Sequence, residues 1–401
     1  MKGIKSNICW FVIGIFLLNA IPVSASIYDY EIVWTRNYSS GYTNTAVTVD
    51  SNDNIIVCGI DDNYKGTILK YDKNGNLLWA IHVSKEIYHK ESKPHIYPSP
   101  DIPDTINELL SRGLCLFAVA TDSNNNIIVA GSFFDSSKMY SDIRVMKFSP
   151  NGQKIWERKF SIWTYSLAHS VAVDSKGNIF VAGWITDGIN AKGLLIKLKG
   201  SNGYKLWQYK RNMVGKFVIY TDVVVDSSDN PIVVGMSVKK SNGDKDVIIT
   251  KYSGRWGIIK KEKIRSASAL PWAITIDKQG NFVIVGFAEY GDEQSHYLLR
   301  LSSGFNVLWE KQRIVNGGLT GVTILKNGDI AVSGEKSNVD KYYAAIYSIN
   351  TGKKLLDMYL GNKIGTGFDQ FNDHMWDIAI DSSGDLYIVG ACPTSKTIKV
   401  H

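Results

Sequence analysis

An all-β chain arranged as a seven-bladed propeller of four-stranded antiparallel blades is the fold class this sequence predicts. Three observations predict it. A phrase of thirteen residues recurs along the chain, it returns at a period of about 50 residues, and each copy alternates β-branched runs with tight polar turns. The phrase reads VAVDSKGNIFVAG where it ends at Gly183, and elsewhere VTVDSNDNIIVCG, VATDSNNNIIVAG, VVVDSSDNPIVVG and IAIDSSGDLYIVG. Its aspartate falls at Asp50, Asp122, Asp174, Asp226, Asp277 and Asp381, with Leu325 in the same place in one degenerate copy. The spacings are 72, 52, 52, 51, 48 and 56 residues. Nine residues after each of these positions stands a glycine: Gly59, Gly131, Gly183, Gly235, Gly286, Gly334 and Gly390.

Each unit reads as strands. Val-Ala-Val before the aspartate and Ile-Phe-Val-Ala after it are short β-branched runs, and Asp-Ser-Lys-Gly-Asn between them is a turn of residues that bond their own backbone or accept positive φ. A third apolar run, a second turn and a fourth run follow, as in Ile68 to Tyr71, Asp72 to Asn76 and Leu77 to Trp79. Asn-Gly at 74, 151 and 202 marks hairpins. The Asp and Asn of these turns could be taken for calcium ligands, but turns this short need those side chains to cap the backbone.

A period of this length also suits an open solenoid, and the chain ends distinguish the two. The last repeat stops after its third strand at Lys396 to His401, while residues Glu31 to Arg36 resemble an unclaimed fourth strand around Trp34. The N-terminal strand is therefore expected to complete the last blade, leaving no unpaired sheet edge at the joint. Two residues before the aspartate, small side chains prevail, as suits an innermost strand. The tryptophans Trp79, Trp156, Trp207 and Trp309 belong to fourth strands, at the wide rim.

The repeat resembles the bacterial and archaeal seven-bladed β-propeller repeat family. Val171 to Gly183 match its AVDSxGNxYVxG pattern, and Leu198 to Trp207 match its KxDxxGNxxWxxxY pattern. The resemblance covers nearly all of residues 28–401 and implies an exported protein of unknown or binding role, with no family-wide catalytic residues. The sixth copy departs from the pattern, with Leu325 for Asp and Asp357 read in place of Trp.

Residues 1–25 have the form of a secretory signal: Lys2 and Lys5, an apolar run from Ile8 to Ile21, then Pro22 and Val23-Ser24-Ala25. The run is shorter than the ~20 residues needed to span a bilayer, and no later segment could cross one. Cleavage after Ala25 is expected, leaving residues 26–401 as the propeller and a secreted, extracellular or cell-envelope location. Loss of the two lysines lowers the formal net charge from +7 to +5, which with no basic run interleaved with aromatics makes a nucleic-acid partner a poor expectation. Cys58, Cys115 and Cys392 allow one disulfide in three pairings, and no cysteine or histidine spacing suggests a metal.

Strand order places the short first-to-second and third-to-fourth turns on one face, and the variable loops on the other, where function is expected. The largest loop, residues 84–117, holds four prolines and a capping box from Thr105 to Glu108 that predicts a short helix. The same face collects candidate ligand-binding residues: Trp163, Tyr165 and His169 before the third innermost strand, Trp272 before the fifth, and Asp373, His374 and Trp376 before the seventh. Aromatic rings beside polar groups suit a sugar or a docked peptide. The expectation is a monomeric binding scaffold for an extracellular protein or glycan, with no catalytic residue, metal or cofactor assigned. A hydrolase or lyase of extracellular polysaccharide is the second reading, using Asp373, His374 and His169 as acid and base.

Overall fold

The computed structural model describes residues 30–40, 43–61, 65–83, 114–135, 140–266, 268–290, 293–312, 315–336, 341–362, 375–390 and 394–401. The first strand, β1 (Ile32–Ser40), is not part of the sheet formed by the strands next after it. Its neighbours in sequence form an antiparallel sheet in chain order: β2 (Thr43–Val49), β3 (Ile55–Ile60), β4 (Gly66–Tyr71) and β5 (Leu77–Val83). The same order repeats in β6 (Leu114–Thr121), β7 (Ile127–Asp135), β8 (Tyr140–Phe148) and β9 (Lys154–Phe160), then in β10 (Tyr165–Val173), β11 (Ile179–Thr186), β12 (Ala191–Leu198) and β13 (Lys205–Arg211). One parallel bridge between Tyr165 and Ser141 joins these two sheets. Next come β14 (Lys216–Val225), β15 (Pro231–Lys239), β16 (Lys245–Tyr252) and β17 (Ile259–Ser266), followed by β18 (Ala269–Ile276), β19 (Phe282–Tyr290), β20 (Glu293–Leu301) and β21 (Val307–Lys311). Then β22 (Leu319–Ile324), β23 (Ile330–Gly334), β24 (Lys341–Tyr347) and β25 (Lys354–Asn362) pair in the same way. The last three strands, β26 (Met375–Ile380), β27 (Leu386–Gly390) and β28 (Thr394–Val400), take β1 as their fourth, antiparallel to β28. The expected helix after Thr105 lies outside the described residues, while Leu114 to Phe117, read as the end of the insertion, start β6.

The apolar runs are long because both faces of each sheet are covered. Strands β3 and β11 are buried at every residue, and the core is divided into layers that each join two consecutive sheets. Trp34, Val47, Leu69 and Tyr71 meet Tyr387 and Val389 in the layer between the last sheet and the first. That sheet thus packs on the first as each other sheet packs on its successor.

Several layers are bolted by one polar unit. The turn aspartate caps its own turn, as where Asp174 Oδ1 accepts from the amides of Lys176 and Asn178 at 3.0 and 2.7 Å. Its other oxygen meets a lysine of the third strand, Lys197, at 2.8 Å. The lysine and the indole of Trp207 both donate to the carbonyl of Gly254 in the next sheet, at 2.9 and 3.3 Å. Lys147 and Trp156 do the same to Gly200, and Trp34 to Lys73. In the degenerate repeat the strand register puts Leu356, not Asp357, at the tryptophan position, because Ile346 pairs with Leu356 as Lys197 pairs with Trp207. Leu325, Ile346 and Leu356 thus replace aspartate, lysine and tryptophan together, in one apolar cluster.

Candidate functional site

The glycine nine residues after the turn aspartate explains the shape of every innermost strand. Gly183 pairs with Ala168, the next pair is Ser170 with Ala182, and His169 is left over as a bulge. A Cβ on Gly183 would lie 2.0 Å from the Leu167 carbonyl oxygen, and one on Gly235 would lie 2.1 Å from that of Ile219. The two backbones approach so closely that only glycine fits. The same irregularity falls at Thr45, Phe117, Thr221, Trp272, Thr320 and Trp376, one residue per sheet, five before the turn aspartate or Leu325.

Sequence reading placed His169, Trp272 and Trp376 in loops entering the innermost strands. They stand inside those strands, and they are brought to one level because each is its own sheet's bulge. His169 stacks on the bulge residue of the sheet before it, Phe117, with ring centroids 5.8 Å apart and planes 14° from parallel. Thr221 at the same level donates across to the carbonyl of Pro271 at 3.0 Å, and Thr45 to that of Leu116 at 2.5 Å. Burial pushes the His169 imidazole down to about 4, so it is neutral at pH 7, and its Nε2 has no hydrogen-bond partner among the described residues. Trp163 and Tyr165 stand apart from this level. Lys192 Nζ lies over the Trp163 ring at 4.7 Å, and Tyr165 stacks on Phe134. Asp373 and His374 lie outside the described residues, as does Cys392.

Two acids beside the bulges escaped the sequence reading. One residue after the bulge, Ala46, Ala118, Ser170, Ala273 and Gly321 are small, but the fourth and seventh sheets carry Asp222 and Asp377. Asp222 accepts from Ser170 Oγ at 2.5 Å and from the amides of Val223 and Ile274 at 2.7 and 2.8 Å. Asp377 accepts from the amides of Ile378 and Val47 at 2.8 and 2.9 Å. Each carboxyl therefore ties its innermost strand to that of the next sheet. Burial pushes Asp222 up to about 6 and Asp377 up to about 7, with the charge of Asp222 adding to the second. The available signal was the departure from small residues at this repeat position.

The sequence model of the family described as outer membrane protein assembly factor BamB matches residues 141–389. No curated protein sequence matches the chain. Among solved structures it is similar to the WD40 β-propeller domain of Doa1 (11% identity, 92% of this chain and 96% of that one, TM-score 0.58). It also resembles Drosophila Semaphorin 1b extracellular domains 1-2 (9%, 92% and 86%, TM-score 0.55) and virginiamycin B lyase from Staphylococcus aureus (12%, 93% and 99%, TM-score 0.51). At these identities the likeness is one of fold, a β-propeller. No helix among the described residues is long and apolar enough to cross a membrane.

Proposed function

Because this chain belongs to the family described as outer membrane protein assembly factor BamB, we propose that it is an exported seven-bladed propeller, closed by β1, that works as a binding scaffold. It takes an extracellular or envelope protein or glycan at the face of its variable loops. Closure is supported by the pairing of β1 with β28 and by the apolar layer between the last sheet and the first. The observation that carries the binding reading is the chemistry of the bulges. At Gly131, Gly183, Gly235, Gly286 and Gly334 the glycine opposite the bulge is imposed by backbone contact, whereas the bulge side chain runs Thr, Phe, His, Thr, Trp, Thr, Trp on an otherwise regular scaffold. Stacked rings beside an unpartnered imidazole nitrogen suit a polar ligand with a flat face, such as a sugar or a peptide.

A thermal-shift screen of glycans and peptides tests this, since a ligand selective for the folded state raises Tm. His169→Ala and Trp272→Ala should each weaken a ligand so found by about 1–3 kcal/mol, while Asn74→Ala on the opposite face should leave its affinity unchanged. Equal loss from both faces would sink the assignment. A polysaccharide hydrolase or lyase is the second reading, favoured by Asp377 holding its proton near neutrality beside the bulge level. Both of its oxygens already accept backbone amides, which ranks this reading second. Turnover of a polysaccharide that Asp377→Asn abolishes without unfolding would reverse the order.

A further inference from the structure

On the face of short turns, the residue that closes the third-to-fourth turn is polar except at two adjoining sheets. It is Asn76, Gln153, Asn306 or Lys353 in four repeats, but Tyr204 and Ile258 in the third and fourth. These two turns also carry the most exposed apolar side chains of this face, Tyr204 and Trp256 at 63% each and Ile258 at 59%, beside Leu206, whose position is exposed and apolar in other repeats as well, as at Leu78 and Leu308. The turns are neighbours in space. Gly257 packs so tightly on Trp207 that a Cβ there would meet its ring at 2.6 Å, and Trp207 follows Leu206 directly. Basic groups alternate with the apolar ones: the Arg255 guanidinium lies over the Trp256 ring at 4.4 Å, and Arg158 lies over Tyr204 at 5.3 Å. Neither turn, 199–206 or 253–261, contains an acid. Acids on flanking elements are engaged, Glu262 by Arg211, Asp226 by Lys251 and Asp229 by Ser175.

We propose that this paired-turn patch, centred on Tyr204, Arg255 and Trp256, docks the protein on the surface of an anionic lipid bilayer. A protein interface gathers its apolar groups in a charge-poor centre with a polar rim. Here charge and apolar area alternate residue by residue, the pattern that suits lipid phosphates with acyl chains just beneath them. Nucleic acid would use the cations and one or two stacking rings, but would leave Ile258 and Leu206 in water. Aromatic rings with a polar edge or a stacked cation settle at the headgroup boundary. The opposite face, with the variable loops, would point away from the lipid and stay open to its own partner. This inference does not depend on what that partner is.

Flotation of the mature protein with vesicles tests it, using phosphatidylcholine alone and phosphatidylcholine with added phosphatidylglycerol. We expect capture only by the anionic vesicles, weakening as salt is raised, with a blue shift of tryptophan emission. Lys205→Glu with Arg255→Glu should lower the apparent affinity roughly tenfold or more. Trp256→Ser should remove most of the emission shift, and Trp163→Ser on the other face should change neither capture nor salt dependence. All four side chains are at least partly open to solvent, so an unchanged Tm will confirm intact variants. No capture by anionic vesicles, or equal capture after charge reversal, overturns the proposal. Capture of soluble DNA or peptide in preference to vesicles also overturns it, and reassigns the patch to that class of partner.

Discussion

Asp222 and Asp377 occupy positions where five sister repeats have alanine, serine or glycine, and this gives them a measurable signature. Their carboxyls bind a proton more tightly in the folded protein than the ordinary carboxyl of the unfolded chain. Acidification through the range between the two affinities therefore favours the folded state, and the penalty for the charged form is fully present above about pH 7. His169 and His296 work in the opposite sense. Burial holds both imidazoles down at about 4, so stability falls as pH drops from the ordinary histidine range toward that value. The two effects oppose each other in the wild-type curve, and a difference measurement separates them. We expect the Tm gap between wild type and Asp377→Asn to widen in favour of wild type as pH is lowered from 8 to 5. A gap that stays constant would mean that the carboxyl is no more buried in effect than an exposed one.

At the scale of the element, the unit that ties one sheet to the next is the aspartate, lysine and tryptophan converging on a carbonyl. In the third sheet the Asp174–Lys197 pair is nearly closed to water on both sides, so removing one member would strand a buried charge at a cost of ~3–5 kcal/mol. The degenerate repeat loses all three members at once, and Leu325, Ile346 and Leu356 pack together instead. Exchanging every polar partner for an apolar one leaves nothing unpaired. Leu325→Asp alone should therefore lower stability by ~3 kcal/mol, and adding Ile346→Lys should recover part of that loss, read as a non-additive change in Tm. Simple additivity of the two substitutions would show that the pair does not form. The repeat was legible in the sequence because its markers answer to backbone geometry: the aspartate caps a turn, and the glycine admits a carbonyl 2.0 Å from where its Cβ would be. The bulge was not legible. One inserted residue leaves the apolar pattern on either side intact, so Trp272 and Trp376 read as loop residues when they sit inside strands. The paired-turn patch was hidden for a different reason, since Tyr204 and Trp256 belong to different repeats and come together only when Gly257 packs on Trp207.

For the whole molecule, the joint between the two chain ends repeats the joints elsewhere. Ser382 donates its amide to Asp53 at 2.9 Å, as Ser175 does to Asp229 at 2.9 Å. Trp34 reaches the Lys73 carbonyl at 3.3 Å, as Trp207 reaches Gly254. The innermost strand β26 packs on both β22 and β2. A joint built from the same contacts should have a strength comparable to the others, yet it depends on one strand from the distant end of the chain. Deleting residues 26–38 takes away most of β1, including Trp34 and Arg36, whose guanidinium donates to the Gly75 carbonyl at 2.6 Å. The edge of β28 is then left with unpaired amides and carbonyls, and Tyr387 loses the ring that packs on it at 5.9 Å. An exposed edge of this kind recruits other chains. The truncated protein should therefore melt well below the full chain and form soluble or insoluble aggregates, as read by thermal denaturation and size-exclusion chromatography with light scattering. A monomeric truncation with an unchanged Tm would show that β1 is an accessory strand and that the sheets hold together without it.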